Sequence, residues 1–201
     1  EAKASLNAVN VAFSAHSNAI AARESAFEPL SKLVTRVNNA LKATDTTTQV
    51  DDSAKTIVRK IQGTRASAKL TEEQKQALAA EGKEVIQVSA SQMGFNDRIE
   101  NFDKLITLLS SIPNYTPNEE ELKIESLTAY LNDLKSKNAA VLPLEVQLSN
   151  ARILRNDIQD RPLTGLIDVA LDSKVYIKSV FGASSPQYKQ ISKLAFVKRK
   201  K

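Results

Sequence analysis

The sequence predicts an all-α protein: an elongated, mostly antiparallel helical bundle with coiled-coil-like heptad seams, built from two tandem helical hairpins plus a fifth C-terminal helix. Three observations point there. Apolar side chains recur at alternating steps of three and four over long stretches, the period of a helix whose seam faces a partner helix. Gly and Pro together supply 11 of 201 residues, too few for the frequent tight turns of sandwiches, barrels or propellers. Hydrophobic residues make up 42% of the chain and aromatics 5%, with no Trp, which is enough apolar surface for a core and excludes wholesale disorder.

The first seam reads Leu6, Val9, Phe13, His16, Ile20, Arg23, Phe27, Leu30, Val34, Val37, Leu41, with nine of the eleven positions apolar. A helix of that length spans ~55 Å at ~1.5 Å per residue. Pro29 interrupts it, because its ring removes one hydrogen bond and clashes with the preceding turn. Either a kink or a restart is expected there, the restart with Ser25 as cap and Glu28 completing a capping box. After the polar link from Thr44 to Gln49, Asp51 or Asp52 can cap a shorter helix carrying Ala54, Ile57, Val58 and Ile61, with Gly63 loosening its end.

Thr71 and Gln74 form a capping box for a third helix, expected to run to Ile112 before Pro113. Its seam, Val88, Ser91, Phe95, Arg98, Phe102, Leu105, Leu109, Ile112, repeats the first register, with Arg98 falling where Arg23 falls. Seven identities in 26 positions between Ser14 to Asn39 and Ser89 to Asn114 point to a duplication. The implied organisation is a first hairpin over 1–68, a second over 69–159, and a closing segment over 160–201.

Thr116, Pro117 and Glu119 supply cap, first-turn proline and box partner for the fourth helix, with Glu120 and Glu121 near the positive end of its dipole. It carries Ile124, Leu127, Leu131, Leu134 and Val141, and is expected to continue past a kink at Pro143 to about Ile158. Pro162 and Gly165 precede the fifth helix, Leu163 to Phe181, whose face of Leu166, Ala170, Ile177 and Val180 should close the bundle. Gly182 then caps it. Ser185 and Pro186 open a short helix through Tyr188, Ile191 and Leu194. Leu194 to Val197 is apolar enough to dock, leaving Lys198 to Lys201 solvated.

Composition narrows the chemistry. Cys is absent and His occurs once, which removes disulfide frameworks, thiolate metal sites, Cys nucleophiles and His-containing catalytic pairs. No phosphate loop, dinucleotide fingerprint, nucleophile elbow or His-Glu-x-x-His motif occurs. The expectation is therefore no catalytic residue, no metal, no cofactor and no small-molecule substrate. No apolar run approaches the ~20 residues of a membrane span, and the N-terminal stretch lacks a signal-peptide pattern; the chain reads as soluble, with the cytoplasm favoured.

Charge placement is the strongest functional signal. The net charge is +5, but residues 173–201 hold eight basic and no acidic side chains, leaving 20 basic against 23 acidic in residues 1–172. Lys174, Lys178, Lys189, Lys193, Lys198, Arg199, Lys200 and Lys201 are the candidate partner-binding residues, interleaved with Tyr176, Phe181, Tyr188 and Phe196. Such asymmetry favours an anionic partner. The sequence points first to a non-catalytic structural or adaptor protein that docks on a protein partner or assembles with itself. Nucleic acid is the first alternative, and a helical protein rearranging at an anionic membrane surface the second.

Three polar residues interrupt the seams: His16, Arg23 and Arg98. His16 reads as a polar spacer, since a di-metal bundle needs Glu-x-x-His pairs and residue 13 is Phe. A seam charge is costly unless paired, so each arginine is expected to pair with a carboxylate, with Glu125, Asp133 and Asp157 as candidates; an anion-binding cleft is the functional alternative. Glu119 to Glu121 lack calcium-loop spacing. Asp168 and Asp172 share a helix face and read as surface charge.

Overall fold

Of the two outcomes left open at Pro29, a kink or a restart, the chain takes the restart. In the computed structural model, which describes residues 1–64, 71, 80 and 93–198, helix α1 covers Ala2–Phe27 and α2 Leu30–Lys42. Ser25 is not the cap; it lies inside α1. Pro29 itself occupies the N-cap position with φ −75°, a torsion its ring already holds near the helical value.

The remaining described helices are α3 (Thr48–Gln62), α4 (Phe95–Ser110), α5 (Ile124–Asp160), α6 (Leu166–Phe181) and α7 (Pro186–Ser192), with a single 3-10 turn at Glu120–Leu122. No strand occurs among the described residues. The described residues make the chain all-α.

Thr47, rather than Asp51 or Asp52, caps α3: its hydroxyl accepts the Val50 amide at 3.4 Å. Asp51 instead accepts the Thr46 hydroxyl at 2.7 Å. Gly63 closes α3 in the left-handed conformation, φ +67°, which returns the Thr64 amide to the Arg59 carbonyl. A side chain here is doubly disfavoured, since a Cβ on Gly63 would also overlap the Met93 thioether.

The expected third helix from Thr71 to Ile112 is broken. Most of its first half lies outside the described residues, but Gly94 is extended, with ψ 149°, and serves as the N-cap of α4. Glycine resists continuation of a helix and tolerates the cap geometry, and Asp97 in the first turn complements the dipole. The fourth helix also starts late, at Ile124 instead of near Pro117. The buried Tyr115 hydroxyl donates to the Leu122 carbonyl at 3.0 Å, tying residues 115–122 into a closed loop before α5 begins. Pro143 lies within α5 without ending it.

By packing, the chain forms two compact units, residues 21–139 and residues 1–20 with 140–201. The first, here the central unit, holds a continuous core in which α2 packs on α3 and α3 on α4. Phe27, Leu30, Val34, Val37 and Leu41 bury one edge of the restarted seam, and meet Ala54, Ile61, Phe102, Leu105, Leu109, Leu127 and Leu134. Full burial of a Leu or Phe stabilises by ~1.5–3 kcal/mol, so this cluster is the main source of stability. The second, here the terminal unit, is different: Val9, Val141 and Leu148 are its only buried large hydrophobics among the described residues. No residue of α6 or α7 is buried.

Candidate anion-docking face

Residues 163–198 close on themselves through three contacts. Ser185 accepts the Tyr188 amide at 3.1 Å and starts α7 with Pro186 in its first turn, as the sequence predicts. Helix α7 then packs back on α6. The Lys174 ammonium donates to the Ser192 carbonyl at 3.0 Å and to the Leu194 carbonyl at 2.8 Å, satisfying acceptors that the end of α7 leaves open. The Phe196 ring stands 5.8 Å from the same ammonium.

The third contact is a clasp. Lys198 reaches Asp168 at 2.6 Å to Oδ1 and 2.7 Å to Oδ2, and the Leu163 amide donates to Oδ2 at 2.8 Å. The Lys198 ammonium foremost, and then the Leu163 amide, hold the Asp168 carboxyl below the usual carboxylate range. Asp168 thus gathers the start of α6 and the returning C-terminal segment at one place. The sequence signal for this is only an Asp in the first turn of α6.

The candidate residues therefore divide. Lys174 and Lys198 are engaged within the segment, and Lys178 lies 6.0 Å from the Tyr188 ring. Lys189 and Lys193 are exposed, and their side chains make no hydrogen bond or ion pair among the described residues. Arg199, Lys200 and Lys201 lie outside the described residues. The fifth-helix face expected to be buried is not: Ala170 and Ile177 are half-buried, but Leu166 and Val180 are exposed. Leu194 and Val197 do not dock either; both are exposed, and Phe196 is the half-buried side chain of that stretch.

The seam arginines sit in the central unit, without the expected carboxylates. The Arg23 guanidinium stacks 4.0 Å from the Phe95 ring centre and reaches Asn138 Oδ1 at 3.5 Å. Arg98 donates to the Phe27 carbonyl at 3.4 Å and lies 5.3 Å from the Phe27 ring. Phe27 and Phe95 meet edge to face at 4.8 Å, so the two cations bracket an aromatic pair. Ring faces and a carbonyl replace the expected ion pairs, a substitution open to guanidinium because it is planar and weakly hydrated. Burial pushes the Arg98 pKa down, and the Nε atoms of both arginines are buried without a hydrogen-bond partner among the described residues. Glu125, Asp133 and Asp157 pair with neither; Asp133 faces Lys137, and Asp157 pairs with Arg161. His16 is half-buried on α1.

Two cavities in the central unit have no counterpart in the sequence pattern, because their walls come from separate segments. One, of about 500 Å³, is lined by polar groups including Asn39, Thr44, Tyr115 and Glu119. The other, of about 520 Å³, lies over Pro29, Leu33 and Tyr130. Arg36 borders both and is ion-paired with Glu121. No group of three acidic or His side chains able to hold a metal occurs among the described residues, and no described helix is long and apolar enough to cross a membrane. The chain matches no protein-family model, no curated protein and no solved structure.

Proposed function

We propose that this chain is a non-catalytic adaptor whose C-terminal segment docks on an anionic partner. The observation that carries the reading is the segregation of charge. Residues 163–201 hold eight basic and two acidic side chains, a net +6, while residues 1–162 hold 20 basic and 21 acidic, a net −1. Lys189 and Lys193 are exposed within that segment. Exposed ammoniums with no internal partner retain their full attraction for an external anion, subject to screening by salt.

The test is binding of the purified chain to acidic vesicles, to duplex and single-stranded nucleic acid, and to an acidic polypeptide, across a salt series. A copy lacking residues 198–201 runs alongside. Expected is binding to one of these polyanions that weakens steeply with salt and is reduced in the truncated copy. The steepness reports how many counterions are released. Absence of binding to all of them at about 0.05 M salt, or equal binding by the truncated copy and by Lys189→Glu/Lys193→Glu, would overturn the reading.

A further inference from the structure

The cavity of about 520 Å³ in the central unit has its walls on two helices, and its volume lies within the range of about 300–1,000 Å³ typical of small-molecule sites. Pro29 stands at the N-cap of α2, with Lys32 and Leu33 one turn on and Arg36 a turn beyond, so all four share one helix face. Ser126 and Tyr130 line it from α5, again one turn apart. The floor is apolar and held in place. The Tyr130 hydroxyl donates to the Ala26 carbonyl at 2.6 Å and its ring meets Phe102 edge to face at 5.8 Å, while the Pro29 ring locks its own torsion. A ligand landing on such a floor has little to order.

The polar groups around it are unequal. Arg36 is matched by Glu121. Lys32 is exposed and makes no ion pair or hydrogen bond among the described residues, and Glu28, the acid nearest to it in sequence, is not its partner. The half-buried Ser126 also makes no hydrogen bond among the described residues, whereas Thr128, two residues on, donates to the Ile124 carbonyl at 2.7 Å. The lining therefore combines an apolar floor with one unmatched positive charge and one open hydroxyl donor.

We propose that this cavity binds a small organic anion, a carboxylate with a compact apolar body that rests on Leu33 and Tyr130 while its charge meets Lys32 and Ser126. A bare inorganic anion would leave the floor wet, and a neutral apolar molecule would leave Lys32 unmatched; a carboxylate on an apolar body satisfies both. The site is separate from the C-terminal docking reading, because no residue of 163–201 lines it.

The probe is 2-naphthoate, with the neutral 2-naphthamide as its counterpart, each titrated into the 15N-labelled full chain. Naphthoate should shift the amide resonances of Leu33, Ser126 and Tyr130 in a saturable way, with a Kd on the order of 1 mM. Naphthamide should bind the same residues about fivefold more weakly. Lys32→Met keeps the aliphatic stem at an exposed position, so helicity by circular dichroism should be unchanged and the two probes should bind equally. Leu33→Ala should weaken both. The copy lacking residues 198–201 should bind naphthoate as the full chain does. Absence of shifts at these residues at about 10 mM naphthoate, or shifts confined to the exposed apolar residues of α6, would overturn the proposal. So would equal binding of the two probes by the parent chain, which would mean an apolar cavity without anion recognition, or a preference for naphthoate that survives Lys32→Met. Loss of naphthoate binding in the truncated copy would also overturn it, by assigning the anion to the C-terminal segment.

Discussion

The Arg98 guanidinium donates to the carbonyl of Phe27 at 3.4 Å, from a helix 71 residues away in sequence. Phe27 is the last residue of α1, so the cation lies at the negative end of that helix dipole. Tyr130 completes the arrangement by donating to the Ala26 carbonyl at 2.6 Å. The break at Pro29 frees carbonyls that would otherwise bond onward in a continuous helix, and two distant side chains take them up.

This gives Arg98 a structural role with a definite signature. Arg98→Met keeps the aliphatic stem on Phe27 and removes a half-buried charge, so stability should stay within about 1 kcal/mol of the parent. Arg98→Ala loses the packing too and should cost about 1–2 kcal/mol more. Urea unfolding checks both, and a Met variant less stable than the Ala variant would remove the packing argument.

The two units should respond differently to truncation of apolar side chains. Leu105 is fully buried, whereas Val180 on α6 is 53% exposed. Leu105→Ala is expected to cost about 2–5 kcal/mol, and Val180→Ala to stay within about 0.5 kcal/mol. A large loss at Val180 would mean that α6 is covered in solution, as self-association would cover it; sedimentation would detect that.

Two tyrosines in the central unit should titrate late. Burial, with a smaller contribution from Glu119, pushes Tyr115 up to about 12. Burial also pushes Tyr130 up to about 12, with Arg98 opposing and Asp133 adding. The folded state favours the neutral phenol, so this stabilisation is full below the ordinary tyrosine pKa near ~10 and is lost as pH rises through the folded value. Tyrosinate absorbance should show two late phenols, one of which disappears in each of Tyr115→Phe and Tyr130→Phe. Early titration of all four tyrosines in the folded protein would contradict the burial.

The Asp168 clasp carries the opposite pH sense. Its carboxyl is depressed, so the clasp is fully formed above the ordinary aspartate pKa near ~3.9 and opens as pH falls through the lower folded value. The Leu163 amide resonance should report that transition, and Asp168→Asn should abolish it. A midpoint at or above ~3.9 would show that Lys198 does not hold the carboxylate in solution.

Helical class, an interruption at Pro29, a helix end near Gly63 and the Ser185 cap are all legible in the sequence, because each depends on local backbone chemistry; that the interruption is a restart, and that Gly63 closes its helix in the left-handed conformation, emerges only in the fold. Partner choice is less so. A seam arginine calls for compensation, but ring faces and helix-end carbonyls leave no charge signature in a sequence, so the expected carboxylates are the wrong class of partner for Arg23 and Arg98. Gly94 is hidden inside an apolar seam because periodicity in Phe95, Phe102 and Leu105 survives a cap. The apolar face of α6 reads from sequence as core, yet burial depends on whether the fold supplies an opposing surface, and no periodicity reports that. The cavities beside Arg36 and the Asp168 clasp join segments far apart in the chain, and only the fold shows them.

The most direct measurement compares two charge reversals of equal net charge. Lys189→Glu/Lys193→Glu alters the C-terminal segment, whereas Lys55→Glu/Lys60→Glu alters exposed positions on α3. Affinity for the polyanion that the chain binds, whether acidic vesicle, nucleic acid or acidic polypeptide, is measured for both at about 0.1 M salt. A docking face on residues 163–201 predicts a loss of at least about tenfold for the first pair and little change for the second. Equal losses for the two pairs would contradict it, showing that the chain responds to anions through its overall charge and has no docking face.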